Sequence, residues 1–439
     1  MGQNSQNSQA KSLSVADDWN SGIVFSELTD VGMRRANNQD SSACLPSKTA
    51  ERFGLRGHLF VVADGMGAHA AGELASQMAT DKIAMHYLRG NGDDAIEALR
   101  SAVSEANAAI HQRGQSNAEF HNMGTTASAL AILPAGAVVA HVGDSRVYRL
   151  RGGLIEQLTF DHSLVWEMEA SGHAGNSVWG SAIPKNVITR SLGPNATVEI
   201  DIEGPFEVKA NDCYLLCSDG LTGLVDDKEI GTLLDCLPEE MATRVLVDLT
   251  NLRGGPDNTT VVVVRVKNPP NVEPRRTRSK SGGGQSTVSP IMIATAAICS
   301  LIAGLFAIMK SWGLVVVAVI LAIISAVACL LQASTGQSGT PPATASGGKG
   351  PYRRDDATAT KELYESLGEK VKELRDAASQ NNWMMDWRKV NELQKHGIAA
   401  LKADSQKEAI MYQSHAIIET MNQLREQHNR AANETSIDQ

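Results

Sequence analysis

Three short apolar runs in this chain end on an aspartate with a glycine beside it. They are Val61-Val62-Ala63-Asp64-Gly65, Ala140-His141-Val142-Gly143-Asp144 and Leu216-Cys217-Ser218-Asp219-Gly220. Runs of this length and composition read as buried strands. A carboxylate at the exit of a buried strand is rigidly held and can point into a cleft, and the glycine lets a backbone carbonyl approach the same point. Two more acids extend the pattern. Asp257 sits in Gly254-Gly255-Pro256-Asp257-Asn258, just before the run Thr260–Val266, and Asp40 ends Arg35-Ala36-Asn37-Asn38-Gln39-Asp40. Any one Asp-Gly is an ordinary turn. Five acids in this relation to strands constrain the fold, because their chemistry is useful only if the strand ends meet.

Around these motifs, residues 21–267 alternate strand-like and helix-like patterns. The clearest helix is Ile96, Leu99, Val103, Ala106, Ile110, stepping by three and four and ending at Gly114. Turns such as Arg151-Gly152-Gly153 join neighbouring strands as hairpins. Strands close together without intervening helices indicate antiparallel sheets rather than a doubly wound one, an α+β class. With 439 residues, 42% of them hydrophobic and 20% charged, the chain has ample core for two to four units and is not wholly disordered. Forty Lys+Arg against 49 Asp+Glu, a net charge of -9, exclude a general nucleic-acid binder. Six cysteines without metal-type pairing read as buried, reduced thiols rather than a disulfide scaffold.

Residues 1–20 are polar, read as a flexible N-terminus and carry no secretory signal. Residues 268–289 form a basic Pro/Gly linker containing Arg275-Arg276-Thr277-Arg278-Ser279-Lys280. Within 290–332, two uncharged runs, 291–309 and 314–331, are each close to the roughly 20 residues that span hydrocarbon as a helix. They predict a transmembrane helical hairpin, with a buried helix pair in a soluble core as the less favoured alternative. Positive charge on both flanks predicts a multi-pass protein of the cell (inner, cytoplasmic) membrane with both soluble parts cytoplasmic, its basic linker in reach of membrane lipid. Residues 333–358 read as a second low-complexity linker, 359–430 as a helical cytoplasmic region and 431–439 as a tail. In that region Leu363, Leu367, Val371, Leu374 and then Ile410, Ile417, Met421, Leu424 keep to single helical faces. Two or three amphipathic helices are expected there, packed as a hairpin or on a partner, and open to oligomerisation.

Several carboxylates without Cys or clustered His select a hard, oxygen-loving ion, Mg²⁺ or Mn²⁺, over zinc. Two such ions sharing one carboxylate can hold a bridging water, which becomes a nucleophile suited to phosphorus near neutral pH. Phosphate esters also need a fixed cation, and planar Arg serves bidentately.

Eight ordered segments then show a resemblance. They are Gly32–Asp40, Val62–Glu73, Met123–Thr126, His141–Arg146, Thr159–Ser163, Ile188–Gly193, Ser218–Leu221 and Asp257–Thr260. In this order they resemble the metal-dependent protein phosphatase family (protein phosphatase 2C, PPM), bacterial type, across about residues 21–267. The resemblance implies a four-layer α-β-β-α sandwich of two antiparallel sheets with metals at one end. It implies Asp64 as the carboxylate bridging two ions with the Gly65 carbonyl beside it, Asp219 and Asp257 on the second ion, and Asp40 in or next to the first ion's shell through water. Asp144 with Asp219 would hold a third, looser ion, and Arg35 the phosphate, with Arg34 solvated. Asn258 would orient Asp257, and 161–189 would form a flap containing Gly172, Gly175 and Gly180. Thr125-Thr126 and Arg190–Gly193 read as fold-maintaining.

Two departures matter. Gln39 stands where many relatives have Glu, and Met66 where eukaryotic relatives have a His proposed as general acid, so that role cannot be carried over. His69 is close in sequence but as readily structural, and Ala68 replaces a usual Gly. The implied activity is hydrolysis of phosphoserine and phosphothreonine monoesters of phosphorylated proteins, tethered to the membrane and opposing a Ser/Thr kinase. The competing readings are an inactive phosphoprotein-binding module and a protein whose 359–430 helices are the working, regulatory part.

Overall fold

Alternation along strands buried on both sides explains why the apolar runs are continuous. In Leu59–Ala63, Phe60 and Val62 point one way, and Leu59, Val61 and Ala63 the other; all are fully buried. The run Val261–Val264 divides in the same manner. The structure, a computed structural model, describes residues 20–67, 70–89, 94–171, 187–269 and 348–437, the last ten of them as backbone only.

In chain order the elements are β1 (Ile23–Asp30), β2 (Asp40–Leu45), α1 (Ala50–Arg56), β3 (His58–Met66), α2 (Ala71–Arg89), α3 (Ala95–Ser116), β4 (Gly124–Thr125), β5 (Ala127–Leu133), β6 (Gly136–Val142), β7 (Arg146–Arg151), β8 (Leu154–Gln157) and α4 (Leu164–Ala170). Then come β9 (Asp201–Phe206), β10 (Cys213–Cys217), α5 (Asp219–Thr222), α6 (Asp227–Cys236), α7 (Glu239–Leu252) and β11 (Thr259–Val266). The C-terminal part adds β12 (Arg353–Asp356), α8 (Lys361–Gln380), α9 (Trp387–Lys402) and α10 (Gln406–Ile437). One sheet runs β1-β11-β10-β7-β8-β12 and the other β2-β3-β5-β6-β9, with β4 paired to β3. The pairings are antiparallel, as expected for α+β.

Three apolar layers follow. Phe60, Val62, Leu130, Val147, Tyr214, Leu216, Val262 and Val264 fill the space between the sheets. Val61, Ala63, Ala129 and Val138 pack the second sheet against α2 and α3 through Ala75, Ile83, Val103 and Ile110. Leu215, Val261 and Val263 pack the first sheet against α6 and α7 through Ile230, Leu233 and Val245. The four-layer sandwich of two antiparallel sheets is therefore present. Among the described residues Cys44, Cys213, Cys217 and Cys236 are free thiols.

Helix α3 continues past Gly114 to Ser116. Gly114 is a packing glycine rather than a stop, since a Cβ there would lie 3.1 Å from the Phe120 carbonyl oxygen. The assignment of 333–358 to a linker also needs correction at its end. Residues 353–356 pair with the open edge of β8, Arg353 opposite Gln157 and Asp356 opposite Leu154, and complete the first sheet.

The C-terminal helices number three, and their apolar faces are those expected: Leu367, Val371, Ile410, Ile417 and Met421 enter the same core as α6 and α7. Buried Asp248 of α7 pairs with Arg425 of α10 and with Arg244, and Lys407 reaches Asp235 at 2.6 Å. Helix α10 packs on α6 and α7 of the same chain, and α8 and α9 pack on α10.

The expectation of a multi-pass cell-membrane protein is corrected. Among the described residues no helix is long and apolar enough to cross a membrane. The long C-terminal helices are amphipathic, and their apolar stripes are used in packing rather than offered to lipid. The runs 291–309 and 314–331, assigned to the hairpin, lie outside the described residues, as do 270–289 and 333–347.

Truncating a fully buried aliphatic chain typically costs about 2–5 kcal/mol. Ile417 is fully buried against α7. Ile417→Ala is thus expected to lower the urea midpoint of the whole protein by an amount worth about 3 kcal/mol. An unchanged midpoint would mean that α10 does not pack there.

Candidate metal centre

The same alternation that builds the inter-sheet core carries polar side chains to its end. Asp64 lies two residues beyond Val62 and shares its face. Ser218 follows Leu216 by two, and Thr260 precedes Val262 by two. Asp40 opens β2 directly opposite Asp64 in the ladder. Directly opposed residues have Cβ atoms about 5 Å apart, a costly spacing for two like charges. Ser218 Oγ donates to Asp40 Oδ2 at 2.7 Å and accepts from Thr260 N at 2.9 Å, joining the two sheets at this end.

The other acids come from three more segments. Asp144 lies in the bend where the chain crosses from β6 to β7, Asp219 is the first residue of α5, and Asp257 sits in the turn before β11. The backbone at Asp64 is fixed on both sides: its N–H donates to Thr126 Oγ1 at 2.8 Å, and its carbonyl accepts from Thr126 N and Thr125 Oγ1. Gly65 donates to the Gln39 carbonyl at 3.0 Å. A Cβ at Gly65 would stand 2.1 Å from the Gly72 carbonyl oxygen, so only glycine lets the start of α2 close on β3 here.

The carboxylates are electrostatically crowded. Burial pushes Asp40 up from its ordinary 3.8 to about 7, and the charges of Asp219 and Asp257 add to this against hydrogen bonds from Ser218 and Thr260. Asp144 is also pushed up to about 7 by burial, then by Asp219 and Asp161. Asp64 is held well above the carboxylate range by burial and the charges of Asp40, Asp219, Asp144 and Asp257. Asp219 is raised by burial and Asp257, with a hydrogen bond to Asp64 and the charges of Arg35 and Arg146 opposing. One oxygen each of Asp40 and Asp144 is buried without a hydrogen-bond partner. Orphaned carboxylate oxygens within one crowded cluster fit divalent cations, which supply the missing partner and offset the repulsion.

Among the described residues no three His, Cys, Asp or Glu side chains form a ready-made cage around one ion.

Arg35 Nη2 donates to Asp257 Oδ2 at 2.7 Å while the guanidinium stays about half exposed. It is thus tied to the cluster yet open to an incoming anion. Asn258 spends its side chain elsewhere. Its amide NH₂ holds the Val31 and Asn37 carbonyls, its oxygen accepts from Gln39 N, and only its backbone N–H reaches Asp257 Oδ1. Ser218 and Thr126 belong to matched motifs but were not singled out in the sequence as site residues, Thr126 being read as fold-maintaining; their role depends on pairing across strands. Arg190 supports Asp201 at 2.7 Å, and Asp201 accepts from His162 Nε2 at 3.0 Å. His162 Nδ1 in turn accepts from Gly143 N, next to Asp144. Ala68, His69 and most of the expected flap, 172–186 with Gly172, Gly175 and Gly180, lie outside the described residues.

The sequence model of the family Protein phosphatase 2C matches residues 34–237. Protein phosphatase PhpP of Streptococcus pneumoniae is 37% identical over 246 residues, 55% of this chain and 97% of that protein. Serine/threonine phosphatase stp of Listeria monocytogenes is 35% identical over 244 residues, 54% of this chain and 93% of that one. The solved serine/threonine phosphatase of S. agalactiae is 34% identical with a TM-score of 0.50, covering 56% of this chain and 100% of its own.

Groups whose pKa is raised on folding stabilise the fold below their unfolded pKa and lose that contribution as pH rises through the folded value. For Asp40 and Asp144 that window runs from 3.8 to about 7. In EDTA, Asp64→Asn should therefore melt several degrees above the parent at about pH 7, with the gap closing towards pH 4. Mn²⁺ should raise the melting temperature of the parent and leave that of the variant unmoved. Equal melting of the two proteins at every pH, with and without Mn²⁺, would show that the carboxylates are not crowded.

Proposed function

The chain belongs to the protein phosphatase 2C family, and from that premise we propose that it hydrolyses phosphoserine and phosphothreonine monoesters of proteins, opposing a Ser/Thr kinase. One observation carries the reading: five aspartates from both sheets crowd at the end of the inter-sheet core, two of them with orphaned oxygens, beside a half-exposed arginine. The cofactor is Mg²⁺ or Mn²⁺. When bound, these ions supply positive charge for the phosphate oxygens and lower the pKa of water.

Asp64 would be the carboxylate shared by two ions, with the Gly65 carbonyl beside it, and a hydrogen bond ties it to Asp219. Asp219 and Asp257 would complete the second ion's shell, and Asp40, fixed by Ser218, would lie in or next to the first ion's shell through water. Asp144, with Asp219, would hold a looser third ion. Arg35 orients the phosphoryl group with the guanidinium edge that Asp257 leaves free, and Asp257 keeps that edge aimed at the cleft. Burial of the acids in a rigid ladder means that little reorganisation accompanies reaction. The phosphatase domain is assigned to 21–267.

Phosphate release from a phosphothreonine peptide should require Mn²⁺ or Mg²⁺ and cease in EDTA. Asp64→Asn should lower kcat at least about 10³-fold, and Arg35→Ala should raise KM roughly ten- to hundredfold with a smaller change in kcat. Full activity of Asp64→Asn would remove this mechanism. In cells lacking the protein, phosphoserine and phosphothreonine sites of the kinase's substrates should accumulate, as read by phosphoproteomics.

A further inference from the structure

Helix α4 stands at the rim of the acidic cluster. It begins two residues after His162, whose ring accepts from Gly143 N and whose backbone N–H donates to the Gly143 carbonyl, one residue before Asp144. Its outward residues Glu167, Glu169 and Ala170 are exposed, and its inward residue, Trp166, is 9% exposed. Seven residues make too short a helix to hold position by their own hydrogen bonds. Something else must fix it.

Two guanidinium groups pack on Trp166. Arg146 is 5.7 Å from the ring centroid and is itself ion-paired to Asp161 at 2.7 Å. Arg353 is closer, at 4.0 Å, and its Nη2 also donates to Glu169 Oε2 of the same helix at 2.9 Å. Arg353 therefore grips α4 twice, one helical turn apart. Neighbouring Tyr352 packs edge-on against Phe160 at 5.4 Å, and Phe160 packs edge-on against Trp166 at 5.3 Å. Tyr352 is itself anchored, its hydroxyl donating to Glu203 Oε1 at 2.6 Å and its N–H to the Gln157 carbonyl. Arg354 adds an ion pair to Glu156 at 3.0 Å. These contacts come from Tyr352 and from the strand β12 that follows it, beyond residues 34–237 that the family model matches.

We propose that Arg353 is a positioning residue for phosphoprotein substrates: by clamping Trp166 and Glu169 it fixes α4 at the mouth of the cleft as part of the surface on which a protein substrate docks. The inference rests on the phosphatase reading above and extends it. On this proposal a small aryl phosphate needs only the acids and Arg35, whereas the chain of a phosphoprotein also meets α4. β12 leads through buried Ala357 into α8, so the strand that holds α4 is continuous with the C-terminal helices.

The test uses the full chain with Mn²⁺ and two probes, phosphorylated casein and p-nitrophenyl phosphate. Arg353→Ala should raise KM for casein about tenfold, leave its kcat within about twofold, and leave both constants for p-nitrophenyl phosphate within about twofold. Arg353→Lys keeps a cation over the ring and should restore most of the loss, while Glu169→Gln should produce a smaller rise in the same direction. Melting temperatures of the three variants show whether they are folded. An unchanged KM for casein in Arg353→Ala would overturn the proposal. Equal losses on both probes, or a lysine variant no better than alanine, would reduce Arg353 to a structural role and overturn it as well. A parent protein inactive on both probes would instead sink the phosphatase reading, so the two failures are distinguishable.

Discussion

Concentrated negative charge at the end of a dry inter-sheet core is the constraint on which this structure turns. Asp40 and Asp64 face each other across β2 and β3, and Asp219, Asp257 and Asp144 are close enough to raise the pKa values of the cluster. Water would dilute such repulsion, but burial removes much of it, so the acids hold protons or need cations. The fold keeps Asp64 and Asp144 in place through backbone, Asp64 by Thr125 and Thr126 and the Asp144 bend by His162, whereas Asp40 and Asp257 are held by their carboxylates, through Ser218 and Arg35.

Rigidity at this end of the sandwich comes from the three apolar layers behind it. Strands buried on both faces carry the alternation that aims Asp64, Ser218 and Thr260 at one point. A slip of one residue in β3 would turn Asp64 into the layer against α2 and α3 and bring an alanine into the cleft. Register is therefore a functional property here, fixed by Phe60 and Val62 on one side and Val61 and Ala63 on the other.

The C-terminal part is built differently. It joins the phosphatase sheet through a four-residue strand and the helical layer through an amphipathic face, sealed by Asp248 with Arg425 and Arg244. A buried carboxylate with two guanidinium partners specifies one docking geometry, since removing either cation leaves charge unpaired in the core. Arg353 of the same strand, with Tyr352 just before it, packs against Trp166, Glu169 and Phe160, so a segment remote in sequence contacts the rim of the site.

Much was legible in the sequence, for reasons of periodicity and backbone chemistry. The strand runs, the α+β class, the Asp-Gly motifs, the amphipathic faces of the C-terminal helices and the unpaired cysteines all follow from local patterns. The extent of α3 was misread because a glycine needed for close packing has the same letter as a glycine that stops a helix. Residues 353–356 were read as linker because Arg-Arg-Asp-Asp has no strand pattern of its own; it is a strand only because β8 offers an unpaired edge. The membrane assignment rested on the apolar length of 291–309 and 314–331, outside the described residues; among the described residues no helix is long and apolar enough to cross a membrane. Local order, residue type and hydrophobic period were determined by the sequence alone. Tertiary structure decided which acids face one another, which hydroxyls hold them, and which arginine grips the rim, because those are contacts between segments up to some two hundred residues apart and no local pattern encodes a distance in space.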